Sequence, residues 1–228
     1  MVVRQLFFYT EEYIMKYKYV IWDWNGTLLD DVGAALASVN DMLALRGKEP
    51  IDLVRYRECI GVPIIKFYEQ VFDMANDDYQ LIIKQFNEGY ARHELDCGLS
   101  EGAETALNFF ARSGARQVVV SSSHSDIVEA GIKKYGITRF FDKILGASDY
   151  LAGSKIERAV DYLRQNGAEK GTVLVIGDLE HDAEMAAEIG ADCVLLTSGH
   201  EQPARLAAAN ARIIDSLSEL PNLVQSEQ

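Results

Sequence analysis

The sequence predicts an α/β fold: a doubly wound parallel sheet with an all-helical unit inserted after its first strand. Three observations predict it. Short, continuous Val/Ile/Leu runs alternate with helix-period stretches from residue 103 to residue 214, the pattern of parallel strands covered on both faces. Residues 31–98 carry helix-period stretches and no convincing strand. Several strand-like runs stop abruptly at polar residues, which is where an open α/β sheet gathers its ligands.

The elements follow in order. Residues 1–15 read as an N-terminal extension, with Met15 just before the first clear strand at 19–24. The helical unit spans 31–98, with helices at roughly 32–46, 52–59, 63–74 and 77–94. Its breaks fall at residues 47–50, 61–63 and 76–78, where Gly, Pro, Asn and Asp punctuate the pattern. The core resumes over 99–228, joining residues 16–30. Strands are expected at 117–120, 143–145, 172–176, 193–196 and 212–214, and helices at 103–112, 127–135, 156–165, 183–189 and 204–209. Gly114, Gly136, Gly167 and Gly190 stand where helices should end. The tail "LVQSEQ" reads as loose.

The 228 residues are 48% hydrophobic and 25% charged, ordinary for a globular chain, with a net charge of −13. Such an acidic chain repels nucleic acid and anionic lipid, so neither is an expected partner. It repels phosphorylated molecules too, unless a metal ion and local basic groups reverse the field. Cys59, Cys97 and Cys193 form no CxxC or Cys/His cluster, which argues against zinc and a disulfide framework and suits a reducing cytoplasm. No apolar run reaches the roughly 20 residues of a membrane span. Glu11 and Glu12 interrupt the N-terminal apolar patch, unlike a signal peptide. Nothing in the sequence speaks to the oligomeric state.

Four polar positions carry the chemistry. In "VIWDWNGTLLDD" an apolar strand meets Asp23, a costly place for a carboxylate without a partner. In "VVVSSSHSD" Ser121 follows a strand, and the hydroxyls and amides beyond it can bind an anion or simply cap a helix. Lys155, in "AGSKIERAV", stands in the first turn of a helix, where the dipole disfavours a cation unless an anion is near. In "VLVIGDLEHDAEMAAEIG" Asp178 and Asp182 lie four apart across a strand-to-helix turn and can converge with Asp23 into a hard oxygen site suited to Mg2+.

Together these motifs resemble the haloacid dehalogenase (HAD) superfamily, over about residues 16–220. "DWNGT" resembles its first motif, DxDxT; Ser121 and Lys155 resemble the second and third; "GDLEHD" resembles the GDxxxD form of the fourth. The helical insert resembles the C1 cap of the phosphoglycolate phosphatase-like branch. The resemblance implies a Rossmann-like core and a hydrolase of small phosphorylated metabolites, in which Asp23 attacks phosphorus and becomes an aspartyl-phosphate. It implies Mg2+ held by Asp23, the backbone carbonyl of Asn25 and Asp178, with Asp182 supporting the metal shell or holding Lys155. Ser121 and Lys155 would handle the phosphoryl charge, with Gly26, Thr27 and Ser122 as neighbouring substrate-binding positions. Lys66 is the preferred substrate contact from the cap, among Arg46, Lys48, Arg55, Arg57 and Lys66.

One position departs from the family. The second acid of DxDxT, which protonates the leaving group, is here Asn25. General acid–base assistance is worth typically about 10²–10⁴-fold. The substitution leaves three readings: a substrate with a good leaving group, a substitute acid such as His124 or His181, or a weakly active or non-catalytic binder of phosphorylated ligands. Deamidation of Asn25-Gly26 could also restore an acid. A dehalogenase would leave Asp178 and Asp182 idle, and a phosphonate hydrolase-like enzyme would need a desolvated cap lysine, with Lys48 and Lys66 available.

Overall fold

The computed structural model describes residues 15–148 and 154–226. In chain order the elements are β1 (Tyr19–Trp22), β2 (Leu29–Asp30), α1 (Val32–Leu45), α2 (Leu53–Cys59), α3 (Ile65–Val71), α4 (Tyr79–His93), β3 (Gly98–Leu99), α5 (Ala103–Arg112), β4 (Arg116–His124), α6 (Ser125–Lys134), β5 (Phe141–Ala147), α7 (Lys155–Gln165), β6 (Val173–Gly177), α8 (Glu180–Ile189), β7 (Asp192–Leu196), α9 (Pro203–Leu206), β8 (Arg212–Ile214) and α10 (Leu220–Gln225). Six strands form one parallel sheet in the order β5-β4-β1-β6-β7-β8. β1 is central, paired with β4 on one side and β6 on the other.

The two-residue period of the strands sorts the core into two layers. Val20 and Trp22 point into a cluster with Leu107 and Phe110 of α5, Val128 and Ile132 of α6, and Val224 of α10. Tyr19 and Ile21 point the other way, into a cluster with Ala159 and Leu163 of α7, Met185 of α8 and Leu206 of α9. This is the doubly wound architecture expected. The helical insert has its own core, built from Val39, Met42, Tyr56, Cys59, Phe67 and Ile82. Its two connections to the sheet pair as an antiparallel ladder, Leu29 with Leu99 and Asp30 with Gly98, a pairing too short to leave a sequence signal.

Several boundaries differ from the expectation for physical reasons. β1 ends at Trp22 rather than residue 24, because Trp24 O accepts from Thr27 N at 3.3 Å and from Leu29 N at 2.9 Å and so closes a turn. β4 runs on to His124, so the serine run lies in a strand that stays beside β5 as far as the His124–Ala147 pair. α2 and α4 start late because Asp52 and Asp78 stand outside them as caps, accepting from Arg55 N and Gln80 N at 2.8 Å each. α9 is only four residues long, starting at Pro203. The tail is not loose at its start: Val224 is buried and belongs to α10. The expected N-terminal extension lies outside the described residues except for Met15, which is buried in the first core layer.

Candidate functional site

Parallel strands deliver all their C-terminal ends to one edge of the sheet. Asp23 follows β1 directly, and its N–H still donates to Ile176 O of β6 at 2.9 Å. Ser121 lies in β4 beyond its buried Val run, Lys155 opens α7, and Asp178 follows β6. Asp23, Ser121, Lys155, Asp178 and Asp182 are all buried.

Lys155 Nζ bonds Asp23 Oδ1 at 2.8 Å and Asp182 Oδ1 at 2.6 Å. The second oxygen of Asp182 accepts from Asp178 N at 3.2 Å and Leu179 N at 3.1 Å, fixing the strand-to-helix turn. Asp178 accepts from Thr27 Oγ1 at 3.0 Å and from His200 N at 2.7 Å. Carboxylate oxygens of Asp23, Asp178 and Asp182 all lie within 4.8 Å of one another. Burial pushes the Asp23 carboxyl up to about 6, against the pull of Lys155. Burial likewise raises Asp178 to about 8. Burial lowers and the two carboxylates more than restore the pKa of Lys155, which ends well above its ordinary value.

A second cluster surrounds Asn25. Its Nδ2 donates to Asp31 Oδ2 at 2.8 Å and to Tyr90 OH at 3.0 Å, while its Oδ1 accepts from Ser123 Oγ at 2.7 Å. Asp31 also accepts from Gly26 N at 2.7 Å, Tyr90 OH at 2.6 Å and His200 Nε2 at 3.1 Å. The other ring nitrogen of His200 bonds Tyr56 OH at 2.9 Å. Burial raises the Asp31 carboxyl, but the bonds from His200, Tyr90 and Asn25 outweigh it and hold the acid below its ordinary value. Burial lowers His200, but its bond to Asp31 wins and raises it to about 9.

Four buried carboxyl groups, Asp23, Asp31, Asp178 and Asp182, thus face two basic partners, Lys155 and His200. The raised values of Asp23 and Asp178 mark acids short of a counter-ion, and a donor set made of oxygen alone at these two positions fits a small hard dication. Gly26 stands at φ +70°, and a Cβ there would collide with the Asp178 carboxylate and the His200 ring. The turn must therefore be glycine to pack this closely.

The remaining expected residues divide. Thr27 is fully buried and turned onto Asp178. Ser121 Oγ accepts from Ser123 N at 3.1 Å, and its carbonyl accepts from Arg158 Nη2 at 2.7 Å. Ser122 is exposed. Lys66 is exposed on α3, and Lys48, on the insert surface, reaches Val71 O at 3.5 Å. Arg46 is spent inside the insert on Asp77 and Gln85, and Arg55 on Glu58. Arg57 donates to Ser198 O at 2.8 Å, joining insert to core. His181 pairs with Glu184 and His124 bonds Ser148 O and caps α6, so neither joins the Asn25 cluster through a hydrogen bond. Sequence reasoning missed Asp31, His200, Tyr56 and Tyr90. His200 lies just past β7, so the strand-end rule that found the other sites reaches it too.

Comparison with known proteins follows the same lines. Residues 20–196 match the family described as Haloacid dehalogenase-like hydrolase. The phosphoglycolate phosphatase of Rhodobacter capsulatus is 26% identical over 211 residues, covering 90% of this chain and 96% of the relative. Phosphoglycolate phosphatase 1 of Pseudomonas aeruginosa is 25% identical over 211 residues, covering 88% and 77%. The crystal structure of a predicted phosphatase from Clostridium acetobutylicum superposes with a TM-score of 0.76 at 23% identity, covering 92% of this chain and 99% of that one, a likeness of fold.

Proposed function

Since the chain belongs to the haloacid dehalogenase-like hydrolase family, we propose that it is a Mg2+-dependent phosphatase of a small phosphorylated metabolite, acting through an aspartyl-phosphate on Asp23. The observation that carries this reading is the buried Asp23–Lys155–Asp182 network with Asp178 alongside. The curated relatives named phosphoglycolate phosphatase support the phosphate ester class.

Asp23 Oδ2 attacks phosphorus in line, the phosphorus–oxygen bond to the leaving group breaks, and an acyl phosphate results. Water then attacks that phosphorus and the Asp23 carboxylate leaves. Lys155 keeps Asp23 ionised and offsets charge on the phosphoryl group, and Asp182 holds Lys155 in place. Asp23, Asp178 and the Asn25 backbone carbonyl would hold Mg2+, which supplies charge neutralisation between two anions that otherwise repel. The helical insert acts as a cap, tied to the core at Tyr56–His200 and Arg57–Ser198. Residues 16–30 with 99–228 form the catalytic core and 31–98 the cap.

Asn25 donates to Asp31 and Tyr90 and accepts from Ser123, so its side chain serves as a fixed amide, with no proton to give. Acyl, aryl and anhydride phosphates, which leave without a proton, are therefore the favoured substrates. The same feature favours a second reading, a binder of phosphorylated ligands with little turnover. The phosphonate hydrolase reading loses support, since Lys48 and Lys66 are exposed.

The test is a panel of phosphate esters and acyl phosphates with Mg2+, run on wild type and Asp23→Asn. Hydrolysis by wild type, with trapping of phosphate on Asp23 and loss in the variant, is expected. Activity persisting in Asp23→Asn would sink the covalent scheme, and wild type inert on every member would leave the binder.

A further inference from the structure

Residue 25 is neutral in this chain, and its amide bonds a carboxylate six residues further on. Asp31 is the N-cap of α1, yet its side chain makes no capping bond to that helix, the usual use of such a residue. Both oxygens turn back toward the site instead. Oδ1 accepts from Gly26 N and His200 Nε2, and Oδ2 accepts from Asn25 Nδ2 and Tyr90 OH, at 2.6 to 3.1 Å. A carboxylate has about four lone-pair sites, so Asp31 is saturated and each of its neighbours has to be a donor.

The Asn25 carboxamide meets this demand. Nδ2 faces Asp31, and Oδ1 is held at 2.7 Å by the Ser123 hydroxyl. A carboxylate at position 25 would set two anionic oxygens against each other at hydrogen-bond distance in a buried site, where like charges repel strongly.

We propose that Asp31 is the positioning residue of this active site. It dictates a neutral donor at position 25 and holds the Asn25 carboxamide and the Gly26 N–H, and with them the turn that begins at Asp23. Tyr90 of α4 and His200 after β7 bind the same carboxylate, so the turn, the helical insert and the loop after β7 are set by one group. Residues 25 and 31 form a matched pair, in which an acid at one position requires an amide at the other. The catalytic part of this role rests on the phosphatase reading above; the pairing does not.

The experiment is a cycle of Asn25→Asp, Asp31→Asn and the double exchange. It is read by thermal melting at mildly alkaline pH, and by kcat and KM on p-nitrophenyl phosphate with Mg2+. Asn25→Asp is expected to lower Tm by about 3–8 °C without gaining activity. Asp31→Asn is expected to lose roughly tenfold or more in kcat while KM moves less than about threefold. The double exchange recovers most of the lost Tm, because the acid–amide pair is rebuilt with its roles reversed. Additive single effects, a wild-type Tm in Asn25→Asp, or a folded Asp31→Asn with wild-type kcat each overturn the proposal. Should a single variant fail to fold, a folded double exchange by circular dichroism supports the pairing and an unfolded one overturns it. If wild type is inert on p-nitrophenyl phosphate and acetyl phosphate, the phosphatase reading fails, while the melting cycle still decides the pairing.

Discussion

Lys155 Nζ lies 2.8 Å from Asp23 Oδ1, and its only other ion-pair partner among the described residues is Asp182, at 2.6 Å. Lys155 is 4% exposed at the side chain and Asp23 9%, so neither charge has water to fall back on. A buried pair contributes little against an apolar replacement of both partners, but removing one partner alone strands the other. Lys155→Met keeps the length of the side chain and strands two carboxylates. Urea unfolding near neutral pH should show a loss of about 3–5 kcal/mol, with hydrolysis abolished. A loss below about 1 kcal/mol, the range of an exposed pair, would mean the network does not hold the site together.

Gly26 separates two anionic centres by backbone alone. Its φ of +70° disfavours any side chain, and a Cβ would meet the Asp178 carboxylate. Gly26→Ala should therefore cost stability through strain, on the order of 1–3 kcal/mol, and also push Asp178 away from Asp23. The expected signature is weakened Mg2+ binding by isothermal titration together with reduced kcat. Unchanged metal affinity would show that the turn accommodates the methyl without moving Asp178.

How much of this was legible from the sequence depends on what each residue's signal is. Asp23, Ser121 and Asp178 each interrupt or follow an apolar run, and the run itself announces the position; Lys155 is marked instead as a cation in the first turn of a helix. The parallel sheet and its two covered faces were legible for the same reason, since Val20 and Trp22 against Tyr19 and Ile21 follow from a period of two. Asp31 and Tyr90 carry no such mark. An acid ahead of a helix reads as an N-cap, and a tyrosine inside a helix reads as core. Their role arises only when the chain folds the insert back over the sheet edge and brings residues 59 positions apart to 2.6 Å. The serine run misled in the opposite sense, because the partner that keeps it extended, β5, is a long-range neighbour.

Arg205 fastens the insert to the core through the end of α2. Its Nη1 donates to Ile60 O at 2.7 Å and to Glu201 Oε1 at 2.6 Å, and its Nη2 to Glu58 O at 3.2 Å, so it caps the C-terminal end of α2 from the core side. Charged donors on terminal carbonyls are worth about 1.5–3 kcal/mol at best, and partial exposure reduces that here. Arg205→Ala should leave global stability within about 1–2 kcal/mol, yet let α2 part from the core. The expected readout is faster limited proteolysis within residues 48–76 and a lowered kcat/KM. Wild-type proteolysis and kinetics together would show that Arg205 plays no part in closing the insert.

The pH dependence of stability separates the metal from the protein. Asp23, raised to about 6, and Asp178, raised to about 8, bind protons in the folded chain that the unfolded chain releases near its ordinary carboxylate value. His200, raised to about 9, likewise keeps a proton that the unfolded imidazole loses near 6.5. All three shifts have one sign. Each contributes stability that is fully present below the unfolded value and is lost as pH rises through the folded value. Asp31, held low, contributes in the other direction, with stability present above the ordinary carboxylate value and lost as pH falls further. In chelator the melting temperature should therefore fall steadily from about pH 5 to about pH 9. Mg2+ at the proposed site would bind the deprotonated carboxylates, which only the folded chain presents together, so excess Mg2+ should raise Tm most at the alkaline end and flatten the profile. Differential scanning calorimetry across that range, with and without Mg2+, gives both curves. A chelated profile that stays level or rises to pH 9 would overturn the raised values of Asp23, Asp178 and His200, and one that Mg2+ leaves untouched at its alkaline end would show that Asp23 and Asp178 are not the ligands of a metal.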